Sequence, residues 1–119
     1  MIRHVVLFKF KPGIDWNDPR AVEAERSTAK VGGEVRELRA WRYGRNVSTR
    51  PIAYDFLAEG LLDDMEAVDR YIVHPFHQES VRLWREISEW VVGGGGGGRV
   101  SGGAGEYTPH PPAPPPPPP

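Results

Sequence analysis

The C-terminal end of this sequence sets the limit on what the chain can fold into. From Gly93 onward it reads GGGGGGRVSGGAGEYTPHPPAPPPPPP, in which 18 of 27 residues are glycine or proline. Glycine runs are flexible and proline runs are extended, and neither supplies apolar side chains to offset the entropy of ordering. We therefore expect residues 93–119 to form a disordered tail and residues 1–92 to form one small domain.

Charge and composition exclude several classes of protein. The chain carries 15 basic and 16 acidic residues, and this balance argues against a nucleic-acid or anionic-membrane partner. It contains no cysteine, so neither a disulfide framework nor thiolate chemistry is expected. No apolar run approaches the roughly 20 residues of a membrane span, and the N-terminus lacks the plan of a signal peptide. We expect a cytoplasmic protein.

The first strand is predicted from Ile2 to Phe10, where β-branched and aromatic residues precede a Lys-Pro-Gly turn. Alternation places His4, Val6 and Phe8 on the same face of this strand. The opposite face is also apolar near its centre, which indicates a strand that is covered on both sides.

The first helix is predicted to begin after Asp18, which is suited to be its N-cap, with Pro19 at the first helical position. The segment through Lys30 is rich in helix-forming residues. The pair Gly32-Gly33 is expected to end the helix.

Three further strands follow from the same kind of pattern. One is predicted from Leu38 to Val47, with Gly44 as a bulge or a point of close approach. The next is predicted from Ala53 to Leu61, and a short last strand from Trp90 to Val92.

The second helical region is interrupted by a proline. The sequence Asp63-Asp64-Met65-Glu66 has the arrangement of a capping box at a helix start. Pro75 cannot continue that helix but can begin another, which is predicted to run to about Ser88. On this last helix one stripe is shared by His77, Val81 and Trp84.

The resulting order β-α-β-β-α-β predicts an α+β, ferredoxin-like fold, with an antiparallel sheet covered by helices on one face. The other face of the sheet would be bare and partly apolar, and such a patch marks an association site. Two sheets packed face to face would cover one another, so we expect an obligate homodimer that forms a dimeric α/β barrel. The residues predicted on the bare face are Arg3, Val5, Leu7, Arg39, Trp41 and Tyr43.

Three segments resemble the stress-responsive dimeric α/β barrel (Dabb) family. They are IRHVVLFKFKPG at the N-terminus, YGRNVS at 43–48 and YIVHPFHQ at 71–78, and the resemblance runs from Met1 to about Val92. Most members of this family have no assigned activity, and a fold alone does not establish chemistry.

The spacing Y-x-x-H-P-x-H is also similar to that of polyketide cyclases of the olivetolic acid cyclase type, plant members that close a linear polyketide by aldol condensation. The resemblance implies that Tyr71 and His77 are catalytic and that His4 supports them. A further histidine of those cyclases falls near Phe56 here, and this difference argues against the same substrate.

Each of these residues also has a structural interpretation. His77 can act as a general base near neutral pH, or it can be a buried histidine bonded to a backbone carbonyl. Tyr71 can donate a hydrogen bond to a substrate carbonyl, or simply pack against the core. His4 can hydrogen-bond His77 and set its tautomer, or it can be a core histidine whose hydrogen bonds are satisfied within the protein. His74 precedes Pro75 and is expected to cap the helix or contact a dimer partner.

The predicted site is an apolar pocket between sheet and helices that binds a small molecule without a metal or cofactor. A tri-histidine metal site is not favoured, because His74 and His77 flank a helix start and no carboxylate is placed behind them. The predicted lining residues are His4, Phe8, Phe56, Tyr71, Phe76, His77 and Trp84, with His74 beside them.

Three functions remain compatible with this sequence. The first is a cofactor-free cyclase that moves a proton on a poly-β-keto compound, with His77 as the base and Tyr71 as the hydrogen-bond donor. The second is a stress-response or ligand-binding dimer without turnover, which crowding by Phe56 and Phe76 would favour. The third is a cofactor-independent monooxygenase.

Overall fold

The computed structural model describes residues 1–96. Four antiparallel strands form one sheet in the order β2-β3-β1-β4, and three helices cover one of its faces. The predicted ferredoxin-like βαββαβ fold is confirmed, with its second helix divided in two. The elements are β1 Ile2–Phe10, α1 Pro19–Glu34, β2 Leu38–Arg45, β3 Phe56–Leu62, α2 Met65–Val73, α3 Pro75–Ile87 and β4 Ser88–Gly96. Across this part of the chain, none of the helices has the length and hydropathy of a membrane span.

Helix α1 begins where the sequence predicts but ends later. Asp18 is the N-cap and its carboxylate accepts a hydrogen bond from the Arg20 amide at 2.9 Å. The predicted stop at Gly32-Gly33 is wrong, because neither glycine adopts the left-handed conformation and the helix continues to Glu34. Gly32 instead lies against the indole of Trp41, where an added Cβ would collide with the ring. This glycine permits a close approach and does not end the helix.

Helix α2 is capped one residue later than the capping-box pattern indicates. The Asp64 carboxylate accepts from the Ala67 amide at 2.8 Å, so Asp64 is the N-cap. Asp63 lies outside the helix and forms an ion pair with Arg39 at 2.8 Å.

The strand ends differ from the prediction at five places. Strand β2 ends at Arg45 instead of Val47, and β3 begins at Phe56 instead of Ala53. Strand β3 ends at Leu62 instead of Leu61, and β4 begins at Ser88 instead of Trp90. Strand β4 continues past Val92 to Gly96, which pairs with Ile2 of β1. The first four residues of the predicted tail therefore belong to the sheet. The rest of that predicted tail, 97–119, lies outside the described residues.

A register shift in β2 decides which of its side chains face the helices. The irregularity lies between Leu38 and Ala40, and not at Gly44 as predicted. One extra residue in a strand reverses the alternation that follows it. Trp41 and Tyr43 consequently face the helices, so their predicted place on the bare face is wrong. Arg39 lies at the register shift, and its guanidinium donates two hydrogen bonds to the Asp63 carboxylate.

Aromatic stacking forms the centre of the core between sheet and helices. The ring of Trp84 in α3 stacks on Phe8 of β1 at 4.3 Å and on Phe56 of β3 at 4.8 Å between centroids. All three side chains are buried. A second cluster joins the end of α1 to α2, and includes Val31, Leu62, Val68 and Tyr71 among others.

The sheet face opposite the helices is open in the single chain. It presents the half-buried side chains of Val5 and Leu7, with Leu7 paired to Leu57 of β3. Glu59 lies on the same face and is only 6% exposed. Its carboxylate contacts Arg42 at 2.6 Å and Arg3 at 3.7 Å. This face combines apolar side chains with compensated charges.

The two glycines near the end of α1 provide a matched test of the packing. Gly33→Ala should stabilise the protein by up to about 1 kcal/mol, because alanine loses less conformational entropy in a helix and the added Cβ meets nothing within 4 Å. Gly32→Ala should destabilise it by roughly 1–3 kcal/mol, because the Cβ displaces Trp41. Urea unfolding of both variants measures the difference, and equal stability in the two would refute the assigned contact.

Candidate functional site

A cavity of about 210 Å³ lies between the helices and the sheet. Three of its residues carry polar rings, namely His4, Tyr71 and His77, and four supply aromatic walls, namely Phe8, Trp41, Trp84 and Trp90. The other lining residues are Val6, Thr28, Val31, Ala58, Ile72, Ser80, Val81 and Val92.

The chain between α2 and α3 lies at one side of this cavity, and the helical hydrogen bonds are interrupted there. Pro75 has no amide hydrogen, so the regular helical ladder stops there. His74 caps α3, because its Nδ1 accepts from the Phe76 amide at 3.2 Å. That bond takes the Phe76 amide, which in a continuous helix would bond to the carbonyl of Ile72. The Ile72 carbonyl is thereby left for side-chain partners.

His77 uses this carbonyl to fix its ring. The distance from His77 Nδ1 to the Ile72 carbonyl oxygen is 2.9 Å, and Gln78 Nε2 donates to the same oxygen at 2.8 Å. A carbonyl oxygen only accepts, so Nδ1 must carry the hydrogen. In the neutral ring Nε2 is then the basic nitrogen.

Tyr71 supplies the second polar group. Its side chain is 3% exposed, and its ring lies 4.3 Å from that of His77 between centroids. Burial raises the pKa of the Tyr71 phenol, which keeps the hydroxyl protonated and able to donate. Within residues 1–96 no protein group forms a hydrogen bond with this hydroxyl. A buried hydroxyl of this kind calls for a partner.

Burial also keeps both histidines of the cavity neutral. It lowers the pKa of His77, and the neighbouring His74 adds to the lowering while the bond to Ile72 opposes it. Burial likewise lowers the pKa of His4, with a further contribution from His77. His77 is therefore available as a base at neutral pH.

His4 joins the site through Tyr71. The two rings pack edge to face with centroids 5.3 Å apart. The predicted bond from His4 to His77 is absent from the part of the chain that the structure describes, and the Ile72 carbonyl sets the His77 tautomer instead.

Two predicted aromatic residues lie on the cavity wall and two lie elsewhere. Phe8 and Trp84 line the cavity as predicted. Phe56 stacks on Trp84 at 4.8 Å between centroids and is fully buried in the core, and it does not line the cavity. Phe76 is 37% exposed and its ring packs near His74, 5.9 Å away, because both residues lie at the outward-facing start of α3. His74 acts as a cap and does not line the cavity either.

Sequence reasoning missed the residues that hold the tryptophan walls. Thr28 of α1 accepts a hydrogen bond from Trp84 Nε1 at its hydroxyl, at 2.9 Å, and from Trp41 Nε1 at its carbonyl, at 3.2 Å. Thr28 is a buried polar residue inside a helix, and this is the one signal that points to it. Regular alternation along β2 places Trp41 on the open face, because it does not include the register shift between Leu38 and Ala40.

Within residues 1–96 no group of three or more His, Cys, Asp or Glu side chains is arranged to hold a metal ion.

The fold and the cavity define a ferredoxin-like domain with an internal apolar pocket, and the comparisons place it in a family. The family model described as the Stress responsive A/B Barrel Domain matches residues 2–93. The chain belongs to this family, known as Dabb. An uncharacterized protein of Streptomyces coelicolor is 45% identical over 92 residues, which cover 77% of this chain and 95% of that protein.

Solved structures share the fold. A dimeric ferredoxin-like protein of unknown function from Thermobifida fusca is 20% identical with a TM-score of 0.69, over 78% of this chain and 87% of that one. Hydroxynitrile lyase from Passiflora edulis is 13% identical with a TM-score of 0.66, over 78% and 89%. SnoaB, a cofactor-independent oxygenase from Streptomyces nogalater, is 15% identical with a TM-score of 0.61, over 85% and 96%. Structural neighbours thus include dimers of unknown function, a lyase and an oxygenase.

Proposed function

We propose that the cavity is the active site of a cofactor-free enzyme that transfers a proton on a carbonyl compound. The observation that carries the proposal is the pairing of Tyr71 and His77 at 4.3 Å between ring centroids, on the wall of an apolar cavity. The Ile72 bond leaves His77 with a basic Nε2, and Tyr71 keeps a hydroxyl without a protein partner in residues 1–96. A base and a hydrogen-bond donor side by side are the two groups that enolisation requires.

The reaction needs no other reactant. His77 Nε2 removes a proton from the carbon beside a carbonyl, and the Tyr71 hydroxyl donates a hydrogen bond to the enolate oxygen that forms. The enolate carbon then attacks a second carbonyl of the same molecule and forms a carbon–carbon bond. The imidazolium of His77 returns its proton to the new alkoxide, so atoms and charge balance. The substrate proposed is a poly-β-keto compound that closes to a ring.

His4 supports this chemistry through its contact with Tyr71. Its ring packs on the edge of the phenol at 5.3 Å and remains neutral because burial lowers its pKa. A neutral ring there avoids placing a positive charge beside the imidazolium that His77 becomes during the reaction.

A ligand-binding dimer without turnover is the second candidate function. The predominantly apolar and aromatic walls favour binding as much as they favour catalysis. An oxygenase would differ from both in consuming dioxygen during turnover, so oxygen uptake separates it from the cyclase.

Substitution of the two groups tests the catalytic proposal. His77→Ala should slow conversion of a poly-β-keto substrate by about 100- to 10,000-fold, and Tyr71→Phe by about 100- to 1,000-fold. His74→Asn is the matched control, because asparagine also caps a helix and His74 lies outside the cavity.

Wild-type turnover should fall as pH drops through the His77 pKa, which burial holds below 6.5, since only neutral imidazole accepts a proton.

The binding interpretation gives a different set of results. It predicts that no substrate turns over and that His77→Ala lowers the melting temperature without any kinetic effect. Full activity in His77→Ala would end the catalytic proposal.

We further propose that the chain forms a homodimer through the open face of its sheet. Val5, Leu7 and Leu57 on that face supply apolar surface, and the Thermobifida fusca neighbour is dimeric. Two sheets in contact would remove this surface from water, the dominant favourable term in most association.

A charge on the open face should prevent the assembly. Leu7→Glu should give monomers or insoluble protein, because an unpaired carboxylate would be buried at the interface. Val73→Glu is the control, since Val73 is 68% exposed on α2, on the helical side of the sheet. Light scattering at micromolar concentration measures the mass. A stable wild-type monomer would contradict the dimer.

A further inference from the structure

The volume of the cavity limits the size of its ligand. An apolar cavity of about 150 Å³ takes up one benzene molecule. By that scale a cavity of about 210 Å³ accommodates one six-membered ring with two or three further non-hydrogen atoms. A fused two-ring compound exceeds this volume.

The lining limits the charge of the ligand. None of the cavity-lining residues in the described part of the chain is lysine, arginine, aspartate or glutamate. The lowered pKa values of His4 and His77 leave both rings neutral near pH 7. An ionised ligand would therefore lose its hydration without gaining a counter-ion.

The walls favour a flat ligand with one polar end. Thr28 holds the indole nitrogens of Trp84 and Trp41, so the donors of both tryptophans are already satisfied and only their ring surfaces are left to a ligand. The hydrogen-bonding groups of the wall that remain without a partner in residues 1–96 include the Tyr71 hydroxyl and His77 Nε2, with the His4 ring next to Tyr71 and the Trp90 indole nitrogen.

We propose that the cavity selects an uncharged carbonyl compound the size of a single ring, with its oxygen on the Tyr71 hydroxyl and its body among the tryptophans. This inference rests on the proposed function and adds the class of substrate. Carboxylates and fused two-ring compounds are expected to bind more weakly.

Non-reacting ligands test this without turnover. Acetophenone is a neutral single-ring ketone, benzoate has the same number of non-hydrogen atoms but a charge, and 2-acetylnaphthalene is neutral with two fused rings. Binding to the full chain is followed by the indole N–H signals of its four tryptophans in ¹⁵N-resolved NMR spectra. Trp41, Trp84 and Trp90 line the cavity. Trp16 does not, since it packs on Phe10 at 4.9 Å and under Arg45 at 4.1 Å, and so serves as an internal reference.

Acetophenone should shift the indole N–H signals of the three cavity tryptophans more than the signal of Trp16. Benzoate and 2-acetylnaphthalene should each bind at least about tenfold more weakly, from desolvation of the charge and from overpacking. Tyr71→Phe should weaken the binding of acetophenone by about two- to tenfold, because one net hydrogen bond is lost. Val81→Phe fills the cavity wall and should abolish binding, whereas Val73→Phe, on the exposed surface of α2, should leave it unchanged.

Binding of benzoate or 2-acetylnaphthalene as tight as that of acetophenone would overturn the inference, and so would the absence of any acetophenone shift in the three cavity signals. These outcomes are distinct from failure of the proposed function. If the ligands discriminate as expected while His77→Ala retains full turnover, the base assignment fails and the ligand class stands. If His77→Ala is inactive while benzoate binds well, the ligand class fails alone.

Discussion

The carbonyl of Ile72 accepts hydrogen bonds from His77 Nδ1 at 2.9 Å and from Gln78 Nε2 at 2.8 Å, at the point where Pro75 interrupts the helix. In an unbroken helix this carbonyl would be taken by a backbone amide. Because of the proline, the Ile72 carbonyl is bonded to the His77 ring instead of to a backbone amide of the helix. The position, tautomer and basicity of His77 all depend on its hydrogen bond to the Ile72 carbonyl.

The rest of the domain places the other groups around this ring. Helix α2 ends at the break and brings Tyr71 to the same cavity, while strand β1 brings His4 into contact with the Tyr71 ring. Helix α1 holds two tryptophans through the hydroxyl and carbonyl of Thr28. The cavity is thus polar at one place and aromatic elsewhere, which is the arrangement of a site that orients a small ligand.

Periodicity in the sequence was sufficient to predict the fold, because the alternation in β1 and the stripe on α3 each describe one local element. The roles of Tyr71, His77 and His4 came from the resemblance to the family and stay predictions. Periodicity failed where a distant contact decides the outcome. Trp41 was assigned to the wrong face because a register shift in β2 is invisible in composition, and Gly32 was taken as a helix end although it accommodates the Trp41 indole. Phe76 has the residue type of a pocket wall, but its place in the first turn of α3 directs it outward.

The protonation state of His77 tests the account most directly. In ¹⁵N NMR spectra of the wild type at neutral pH, its Nδ1 should carry the hydrogen, its Nε2 should be unprotonated, and the ring should titrate with a pKa below 6.5. In Pro75→Ala the restored backbone ladder should compete for the Ile72 carbonyl, and the Nδ1–H form should lose its dominance. A wild-type ring protonated at Nε2 alone, or an Nδ1–H form that is unchanged in Pro75→Ala, would contradict it.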